Sequence, residues 1–394
     1  MIPRVLEKKL HELAGYYPAV AVSGPRQSGK TTLCRMAFPE KPYLSLESLD
    51  TRDFAVNDPR GFLSAYSNGA IFDEIQNAPG LLSYLQGDMD ENPEPGRFIL
   101  TGSQHFGLSQ AISQSLAGRC GVLTLLPPDF QELRAFENAP RDLFTLMWQG
   151  SYPRIYDRGI PARQWLADYT ATYIQRDVRQ VVNVGDLNAF SGFLKLCAGR
   201  TGREINLSSM GSDAGISRNT ARSWLSVLET SHIVHRLPAW HSNIRKQVAR
   251  TPKLHFFDSG LACDLLGVRE PDQLALHPLR GAIFESWVVS EIYKARVHRG
   301  LRPDMFHYRE ARGIEIDLLI EQGERLDALE MKSGATLSGS FFKNLSRFAD
   351  RLKDGGRPRE VRSAVVYGGD DSQTRSLGRA LSWRDIRLIS LNLP

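Results

Sequence analysis

Residues 20–33 place the strongest constraint on how this chain folds. An apolar, strand-like run leads directly into the pattern G-x-x-x-x-G-K-T and then into a helix-forming stretch. In such a loop the two glycines permit the turn and let backbone N–H groups approach phosphate oxygens at a helix N-terminus. The alternative is a glycine-rich turn without a ligand. The predicted cofactor-binding residues are Gly24, Pro25, Arg26, Gln27, Ser28, Gly29, Lys30, Thr31 and Thr32.

A second apolar run, at residues 69–72, ends in the adjacent acids Asp73 and Glu74. Phosphoryl transfer mainly needs charge neutralisation and an oriented nucleophile. We therefore expect Lys30 to reach the β- and γ-phosphates, Thr31 and Asp73 to hold Mg²⁺, and Glu74 to polarise the attacking water. The alternative for the acids is an exposed pair at a strand end. The two motifs together predict ATP and Mg²⁺ as cofactors.

Two further features follow in the order that a nucleotide-binding sheet requires. A buried-type strand at residues 97–100 is followed by Thr101 and Ser103, and either hydroxyl is a candidate contact for the γ-phosphate. After a predicted helix at residues 112–116, Arg119 stands just before another strand-like run at residues 122–126. Strands alternate with helices as far as this run, which predicts a parallel α/β sheet.

Length and composition bound the class of protein. A chain of 394 residues is too long for one core and predicts two or three domains. No stretch approaches the roughly 18 to 20 apolar residues of a membrane span, and the N-terminus lacks a signal-peptide core. The cysteines lie far apart, which indicates a reducing cytoplasm and no zinc site. They are Cys34, Cys120, Cys197 and Cys263.

Positive charge is concentrated in the middle of the chain. The net charge is +5, but residues 199–253 carry nine basic residues against three acidic ones. A local basic region is the electrostatic footprint of a protein that binds a polyanion. A solvated basic face without a partner is the alternative, because charge alone does not specify a ligand.

A helix-turn-helix pattern lies within this basic region, at residues 205–225. Ser208 is expected to start a short helix, Gly215 to permit the turn, and Ser217 to cap a second helix. A β run at residues 233–237 would form the wing of a winged helix. The predicted DNA-binding residues Arg218, Asn219 and Arg222 stand at the start of the second helix. The alternative is a protein-docking module of the same fold.

The last group of functional residues lies near the C-terminus. A predicted strand at residues 313–320 carries Asp317, and its predicted hairpin partner at residues 328–332 carries Glu330 and Lys332 on one face. Glu285, on a predicted helix, is a third carboxylate. We expect Glu285, Asp317 and Glu330 to bind a divalent metal and Lys332 to orient or activate water for phosphodiester hydrolysis. The alternative is a salt bridge between Glu315 and Lys332.

The layout resembles the AAA+ superfamily, and the whole combination resembles prokaryotic proteins in which an AAA+ module precedes a conserved C-terminal domain of unknown function. The matching stretches are residues 24–32, 70–76, 100–104, 116–132, 173–178 and 281–334. The resemblance implies that Arg119 acts in the ATP site of a neighbouring subunit. It also implies a C-terminal part similar to PD-(D/E)xK nucleases.

The predicted fold class is α/β, with four segments in order. They are a P-loop AAA+ ATPase core at residues 1–128, a helical lid or connector at 129–190, a winged-helix-like domain at 191–250 and a restriction-endonuclease-like α/β domain at 251–394. Pro127 and Pro128 break the pattern after the first segment, and Arg176 in the second is a candidate nucleotide sensor or a helix-surface ion pair.

Two functions from different classes fit these features. The first is a cytoplasmic, ATP-hydrolysing oligomer, a ring or another homo-oligomer, that remodels or translocates DNA and carries a metal-dependent nuclease site. Branched or single-stranded DNA is among the expected partners, and a membrane is not. The second is an ATP-dependent signalling or defence switch that binds a protein through an inactive nuclease-like domain.

Overall fold

The computed structural model divides the chain into two compact units. The first comprises Met1–Pro128, Thr230–His232 and Val297–Leu301, and the second comprises the remainder. Gln104, the start of the helix predicted at residues 112–116, Arg176, and the basic residues Arg245 and Lys246 lie outside the described residues. The structure describes residues 2–103, 115–174, 186–241, 250–310, 313–354 and 359–390.

The first unit is built on a parallel sheet, as the alternating pattern predicted. Among the described residues it has five strands in the order β2-β3-β4-β1-β5. All residues of β1, β3 and β4 are buried, because helices cover both faces of a parallel sheet. The strands are β1 Ala19–Ser23, β2 Tyr43–Ser45, β3 Ala70–Asp73, β4 Phe98–Gly102 and β5 Cys120–Thr124.

Side chains alternate between the two faces of this sheet and divide its core in two. Phe72 and Phe98 pack in one apolar cluster, whereas Ile71 and Ile99 pack in the other with Leu33. The helices that cover the faces are α1 Leu6–Ala14, α2 Lys30–Ala37, α3 Leu49–Asn57, α4 Pro59–Ala65 and α5 Leu81–Glu91, with a 3-10 turn at Ile75–Asn77.

The second unit begins with short helices, in the segment at residues 129–190 that the sequence predicts to be a helical lid or connector. Carboxylates cap several of them. Asp129 accepts a hydrogen bond from the Glu132 N–H in a capping box, and Asp186 caps the longest of these helices. The elements are α6 Phe130–Leu133, α7 Leu143–Gln149, α8 Pro153–Asp157, α9 Ala162–Tyr169, a π-helical turn at Thr170–Ile174 and α10 Leu187–Gly199.

Two helices joined by a tight turn follow, and a small antiparallel sheet accompanies them. Gly215 has φ 69° at the turn, and Ser217 accepts from the Thr220 N–H as expected of a cap. The first helix begins at Leu207 rather than at the predicted Ser208, because the Asn206 side chain caps it. The elements are α11 Leu207–Asp213, α12 Arg218–Thr230, β6 Arg203–Glu204, β7 Val234–Leu237 and β8 Lys253–Phe256, with sheet order β6-β8-β7.

A second, mixed sheet completes this unit. Strands β9, β10 and β11 are antiparallel neighbours, whereas β11 and β12 are parallel and enclose a helix in sequence. The predicted hairpin of β10 and β11 is confirmed. The sheet elements are β9 Met305–Arg309, β10 Glu315–Gln322, β11 Arg325–Lys332, β12 Glu360–Tyr367, β13 Gln373–Arg375 and β14 Gly378–Ser382.

Helices lie on both faces of this mixed sheet. Leu318 and Leu329 pack in one apolar cluster with Val288, whereas Leu319 packs in the other with Phe348. The helices are α13 Ser259–Leu265, α14 Pro271–Leu276, α15 Arg280–Val297, α16 Lys343–Asp354 and α17 Arg387–Ser390, with 3-10 turns at Gly339–Phe342 and Trp383–Asp385. Within the part of the chain that the structure describes, no helix combines the length and the apolar character needed to cross a bilayer.

Three buried histidines lie close to the β7–β8 pair. His235 and His255 face each other across it with ring centroids 5.5 Å apart, and His307 is 1% exposed. Burial, followed by the charge of Lys294, lowers the pKa of His235 to about 3. Burial and then Lys253 lower the pKa of His307 to about 4. Burial and then His235 hold the pKa of His255 well below its usual range.

We expect these histidines to make the second unit sensitive to acid. In the unfolded chain a histidine binds a proton below about pH 6.5, whereas the folded unit keeps His255 neutral, so stability falls as the pH drops. His255→Phe removes one such histidine. Below pH 6.5 the free energy of unfolding of the variant should therefore fall less steeply than that of the wild type, by up to about 1.4 kcal/mol per pH unit. The measurement is urea unfolding at pH 5 to 8. Parallel pH curves for the variant and the wild type would contradict the assignment.

Tryptophan fluorescence is a suitable probe for this measurement. Every tryptophan of the chain lies in the second unit, so the signal reports on that unit alone. The six are Trp148, Trp165, Trp224, Trp240, Trp287 and Trp383.

Candidate functional site

The loop between β1 and α2 has the backbone geometry of a phosphate cradle. Gly24 and Gly29 have φ values of 145° and 97°, and Gln27 is also left-handed with φ 64°. A Cβ atom on Gly24 would lie 2.1 Å from the Leu125 carbonyl oxygen. Only glycine therefore permits this approach of the loop to the end of β5.

A buried arginine from the N-terminal segment supports the loop. Arg4 Nη1 donates to the Ser28 carbonyl at 2.8 Å, and Arg4 Nη2 donates to the Leu126 carbonyl at 2.7 Å. The planar guanidinium thereby joins the loop to the segment that follows β5. No motif points to Arg4, because its two partners are distant in sequence.

Lys30 lies inside the loop rather than in solvent. Its ammonium donates to the carbonyls of Gly24 at 3.0 Å and Pro25 at 2.9 Å. Burial lowers the pKa of Lys30, and the negative charges of Glu74 and then Asp73 oppose that effect. The first turn of α2 and this ammonium thus provide the positive charge that a polyphosphate needs.

Asp73, at the end of β3, accepts hydrogen bonds from three hydroxyl groups. Thr31 Oγ1 lies 3.0 Å from Oδ1, Tyr43 donates to Oδ2 at 2.7 Å, and Thr101 donates to Oδ1. Burial and then the bond to Asp73 raise the pKa of Tyr43 above its usual range. The Thr31 hydroxyl and the Asp73 carboxylate are adjacent hard oxygen ligands, and they fit the predicted Mg²⁺.

Glu74 has a left-handed backbone, with φ 56°, and a fixed side chain. Its Oε2 accepts from the Ser103 N–H at 3.2 Å, from Ser103 Oγ at 3.0 Å and from the Gln76 amide. Burial alone would raise the pKa of Glu74, but Lys30 and these hydrogen bonds lower it. Glu74 is therefore held as a carboxylate beside Lys30. Thr101 and Ser103, predicted as phosphate contacts, here position the two acids.

Arg119 does not join the other predicted catalytic residues within one chain. It directly precedes β5 and so lies at the end of the sheet formed by the N-termini of the parallel strands. The phosphate loop follows the C-terminus of β1, at the opposite end. Its guanidinium forms a two-point ion pair with Asp90 on α5, with Nε–Oδ1 and Nη2–Oδ2 distances of 2.5 and 2.9 Å.

The C-terminal acids predicted from the sequence do come together. Lys332 Nζ donates to Glu330 Oε1 at 2.6 Å, and the Met331 N–H donates to Asp317 Oδ2 at 2.8 Å. Glu330 lies across the hairpin from Asp317, one position beyond the paired Leu318 and Leu329.

Lys253, a residue that the sequence did not single out for this site, also lies among the acids. Its ammonium is 3.0 Å from Glu285 Oε1, 2.9 Å from Glu315 Oε1 and 4.0 Å from Asp317 Oδ1. The alternative pairing of Glu315 with Lys332 is therefore wrong, because Glu315 pairs with Lys253 and Lys332 pairs with Glu330. Lys253 belongs to no recognisable motif, so no local sequence signal marks it as part of this site.

Burial and mutual repulsion perturb the titration of this cluster. Burial and then Asp317 raise the pKa of Glu285 to about 8 and that of Glu330 to about 7. Burial also raises the pKa of Asp317. Burial would lower the pKa of Lys253, but the surrounding carboxylates raise it instead. The acids thus require a cation to remain ionised together.

The predicted DNA-binding residues share one exposed helix start. Arg218, Asn219 and Arg222 are all exposed on the first two turns of α12. Elsewhere in this basic region, Arg200 pairs with Asp213 at 2.6 Å and Arg236 pairs with Glu229 at 2.6 Å. Both acids are among the three already counted in this region, so these pairs leave its basic excess unchanged.

Three family profiles match successive parts of the chain. Residues 16–134 match an AAA domain, residues 140–272 match a domain of unknown function (DUF8612), and residues 280–386 match another domain of unknown function (DUF4143). The AAA match spans the phosphate loop, Asp73, Glu74 and Arg119. Residues 16–134 are thus similar to AAA domains.

Sequence similarity to other proteins extends beyond residues 16–134. The chain is 28% identical over 370 residues to the uncharacterized protein Rv2008c of Mycobacterium tuberculosis and, equally, to Mb2031c of Mycobacterium bovis, covering 93% of this chain and 79% of each relative. Among solved structures, the Walker-type ATPase PABY2304 of Pyrococcus abyssi aligns with 16% identity and TM-score 0.43, over 66% of this chain and 94% of its own. AMPPCP-bound DnaA of Aquifex aeolicus aligns with 13% identity and TM-score 0.30, over 57% and 86%.

We expect Arg4 to support nucleotide binding by the AAA domain. Arg4→Lys keeps the charge but cannot bridge two carbonyls with a planar fork, so the loop should lose one charged hydrogen bond. At about 1.5 to 3 kcal/mol for such a bond, ATP affinity should fall on the order of tenfold. Calorimetric titration with a non-hydrolysable ATP analogue measures this effect. Arg60→Lys, at an exposed position in the same unit, is the matched control.

Equal affinity in Arg4→Lys and Arg60→Lys would contradict a supporting role for Arg4. A fall in affinity accompanied by loss of the folded first unit would instead assign Arg4 to stability, so circular dichroism of both variants belongs to the test.

Proposed function

We propose that this chain is an oligomeric AAA-type ATPase that couples hydrolysis of Mg²⁺-ATP to the binding and remodelling or translocation of DNA. The observation that carries the ATPase part is the grouping of Lys30, Thr31, Asp73 and Glu74 at the carboxyl ends of β1 and β3, the parallel strands on either side of β4. Each residue has a partner that fixes its position, which is the preorganisation that phosphoryl transfer requires.

The proposed roles follow from the geometry of each side chain. Lys30 and the N-terminus of α2 bind the β- and γ-phosphates. Thr31 and Asp73 hold Mg²⁺, which when bound neutralises phosphate charge. Glu74, fixed by Ser103, orients the attacking water and accepts its proton. The assignment of Glu74 is supported by its lowered pKa, because a base must be ionised at neutral pH.

Arg119 is proposed to act on the ATP of a neighbouring subunit. The proposal is supported by its place before the start of β5, at the opposite end of the parallel strands from the phosphate loop of its own chain. The ion pair between Arg119 and Asp90 is partly exposed to solvent. Such pairs contribute little to the free energy of folding. A neighbouring phosphate can therefore replace Asp90 as the partner of Arg119.

The DNA part of the proposal is supported by the second unit. Helices α11 and α12 with strands β7 and β8 follow the order of a winged helix, and α12 presents Arg218, Asn219 and Arg222 to solvent. Side chains in this position contact the major groove or phosphates in helix-turn-helix proteins. A protein partner on the same helix is the alternative, and it belongs to the switch hypothesis.

A second candidate activity is metal-dependent phosphodiester hydrolysis at the C-terminal cluster. The order α15, β9, β10, β11, α16, β12 supports a restriction-endonuclease-like fold. The specific observation that favours the site is Glu330, which is buried and whose Oε2 has no hydrogen-bond partner among the described residues. Glu285, Asp317 and Glu330 would hold the metal, and Lys332 would orient water.

Substitution of Glu74 tests the ATPase. Glu74→Gln keeps the side-chain shape but removes the base, so we expect wild-type ATP affinity and turnover reduced about 10²- to 10⁴-fold. Lys30→Ala should instead weaken ATP binding. Phosphate release measured with and without single-stranded, duplex and branched DNA reports turnover and its coupling to DNA. Glu40→Gln, at an exposed position, is the control.

Wild-type turnover in Glu74→Gln would show that another residue orients the water. Turnover that no DNA changes, in a protein that also fails to bind DNA, would favour the switch hypothesis.

Salt dependence tests the DNA interface. If Arg218 and Arg222 contact phosphates, their double substitution by Ala should weaken duplex binding and reduce the slope of log K against log salt by about 0.9 for each contact. Fluorescence anisotropy at several salt concentrations gives the slope. The double variant Arg154→Ala and Arg158→Ala removes the same charge from exposed positions on and just after α8. Equal slopes in both double variants would place the DNA elsewhere.

A further inference from the structure

We propose that the Lys253 ammonium is the resident cation of the C-terminal acidic cluster and competes with a divalent cation for the same carboxylates. This inference rests on the proposed carboxylate site and is independent of the ATPase and of DNA binding.

The first argument is the position of the ammonium. Lys253, on β8, brings its Nζ to hydrogen-bond distance of Glu285 on α15 and of Glu315 on β10, and to 4.0 Å of Asp317. The side chain is only 4% exposed. A lysine is rarely buried to this extent unless carboxylates surround it, so these contacts define a specific cation position.

The second argument is the balance of charge. Four carboxylates and two ammonium groups meet in the cluster, and Lys332 is engaged by Glu330. Without Lys253, the carboxylates of Glu285, Glu315 and Asp317 would face one another with no cation of the described residues within salt-bridge distance. Even with both lysines present the formal charge is negative, so the cluster retains attraction for a further positive charge.

The third argument points to a ligand rather than to a closed ion-pair network. Glu330 is 7% exposed, its Oε1 binds Lys332, and its Oε2 is buried without a hydrogen-bond partner among the described residues. A buried acceptor of this kind is costly unless something binds it. The atoms of the cluster that could bind a further ion are carboxylate oxygens. Mg²⁺ and Mn²⁺ prefer oxygen ligands of this kind.

These arguments make the two cations alternatives. A metal ion held by Glu285 and Asp317 would stand within a few ångströms of the Lys253 ammonium, and two cations so close repel strongly in a buried site. The divalent ion therefore binds only as Lys253 withdraws. The expected consequence is a wild-type site with weak affinity for metal, which strengthens when Lys253 loses its charge.

The test is Mn²⁺ binding, measured by electron paramagnetic resonance of free Mn²⁺. The signal of this site is the binding that Asp317→Asn abolishes, which separates it from Mn²⁺ at Asp73. Lys253→Gln should raise the affinity of this site at least tenfold. Lys253→Arg, which keeps the charge, should remain close to the wild type.

Thermal unfolding gives a second readout that needs no enzymatic activity. Lys253→Gln should unfold at a lower temperature than the wild type, because the carboxylates of Glu285, Glu315 and Asp317 lose their cation. Mn²⁺ should restore the lost stability in Lys253→Gln but not in the double variant Lys253→Gln with Asp317→Asn. Absence of this restoration would contradict the inference.

Glu315→Gln keeps the inference testable if Lys253→Gln does not fold. Glu315 is half-exposed and is a partner of Lys253 but not one of the proposed metal ligands. Its substitution should release Lys253 and raise the Mn²⁺ affinity. Unchanged or weaker binding would overturn the competition.

Two negative outcomes are distinguishable. If wild type and Lys253→Gln bind Mn²⁺ equally tightly at the Asp317-dependent site, the competition is wrong while the proposed metal site stands. If neither protein shows Asp317-dependent binding, both the competition and the proposed metal site are wrong, and the ATPase proposal is unaffected.

Discussion

The AAA domain depends on the hydrogen bonds that converge on Asp73. Its carboxylate accepts from Thr31 on α2, Tyr43 on β2 and Thr101 on β4, so one side chain at the end of β3 joins that strand to three neighbouring elements. The same contacts place the Thr31 hydroxyl beside a carboxylate and the Glu74 backbone beside Thr101. The acid proposed to hold Mg²⁺ therefore also holds the geometry of the site around it, and such preorganisation removes the need for rearrangement during a reaction.

The parts of the fold and of the candidate sites that the sequence predicted are those encoded by short local motifs. The loop at Gly24–Thr31, the acids that follow β3 and the hairpin bearing Asp317 and Glu330 are short patterns whose residues act through local backbone geometry, and the structure brings them together as expected. Strand periodicity fixes which side chains share a face, so spacing alone places Glu330 and Lys332 together.

Arg4 and Lys253 show why the remainder was not predictable. Arg4 contacts Leu126, 122 positions away, and Lys253 contacts Glu285, 32 positions away. Each contact depends on tertiary packing that no local pattern encodes. Lys253 was counted in the basic region predicted to bind a polyanion, yet it is buried among acids. Charge counted along a sequence therefore overstates the charge that a surface presents to a partner when a counted residue such as Lys253 pairs with distant acids in the interior.

The two acidic clusters meet the same electrostatic requirement in different ways. Asp73 and Glu74 lie beside Lys30, and hydroxyl and amide groups donate hydrogen bonds to them, so both acids can stay ionised without a bound ligand. Glu285, Glu315 and Asp317 instead obtain their cation from Lys253 of the same chain. Folding thus supplies the cation that balances their charge, and this balance changes only when the Lys253 side chain moves. The first cluster is suited to a ligand that turns over, whereas the second is suited to a ligand that must first displace a part of the protein.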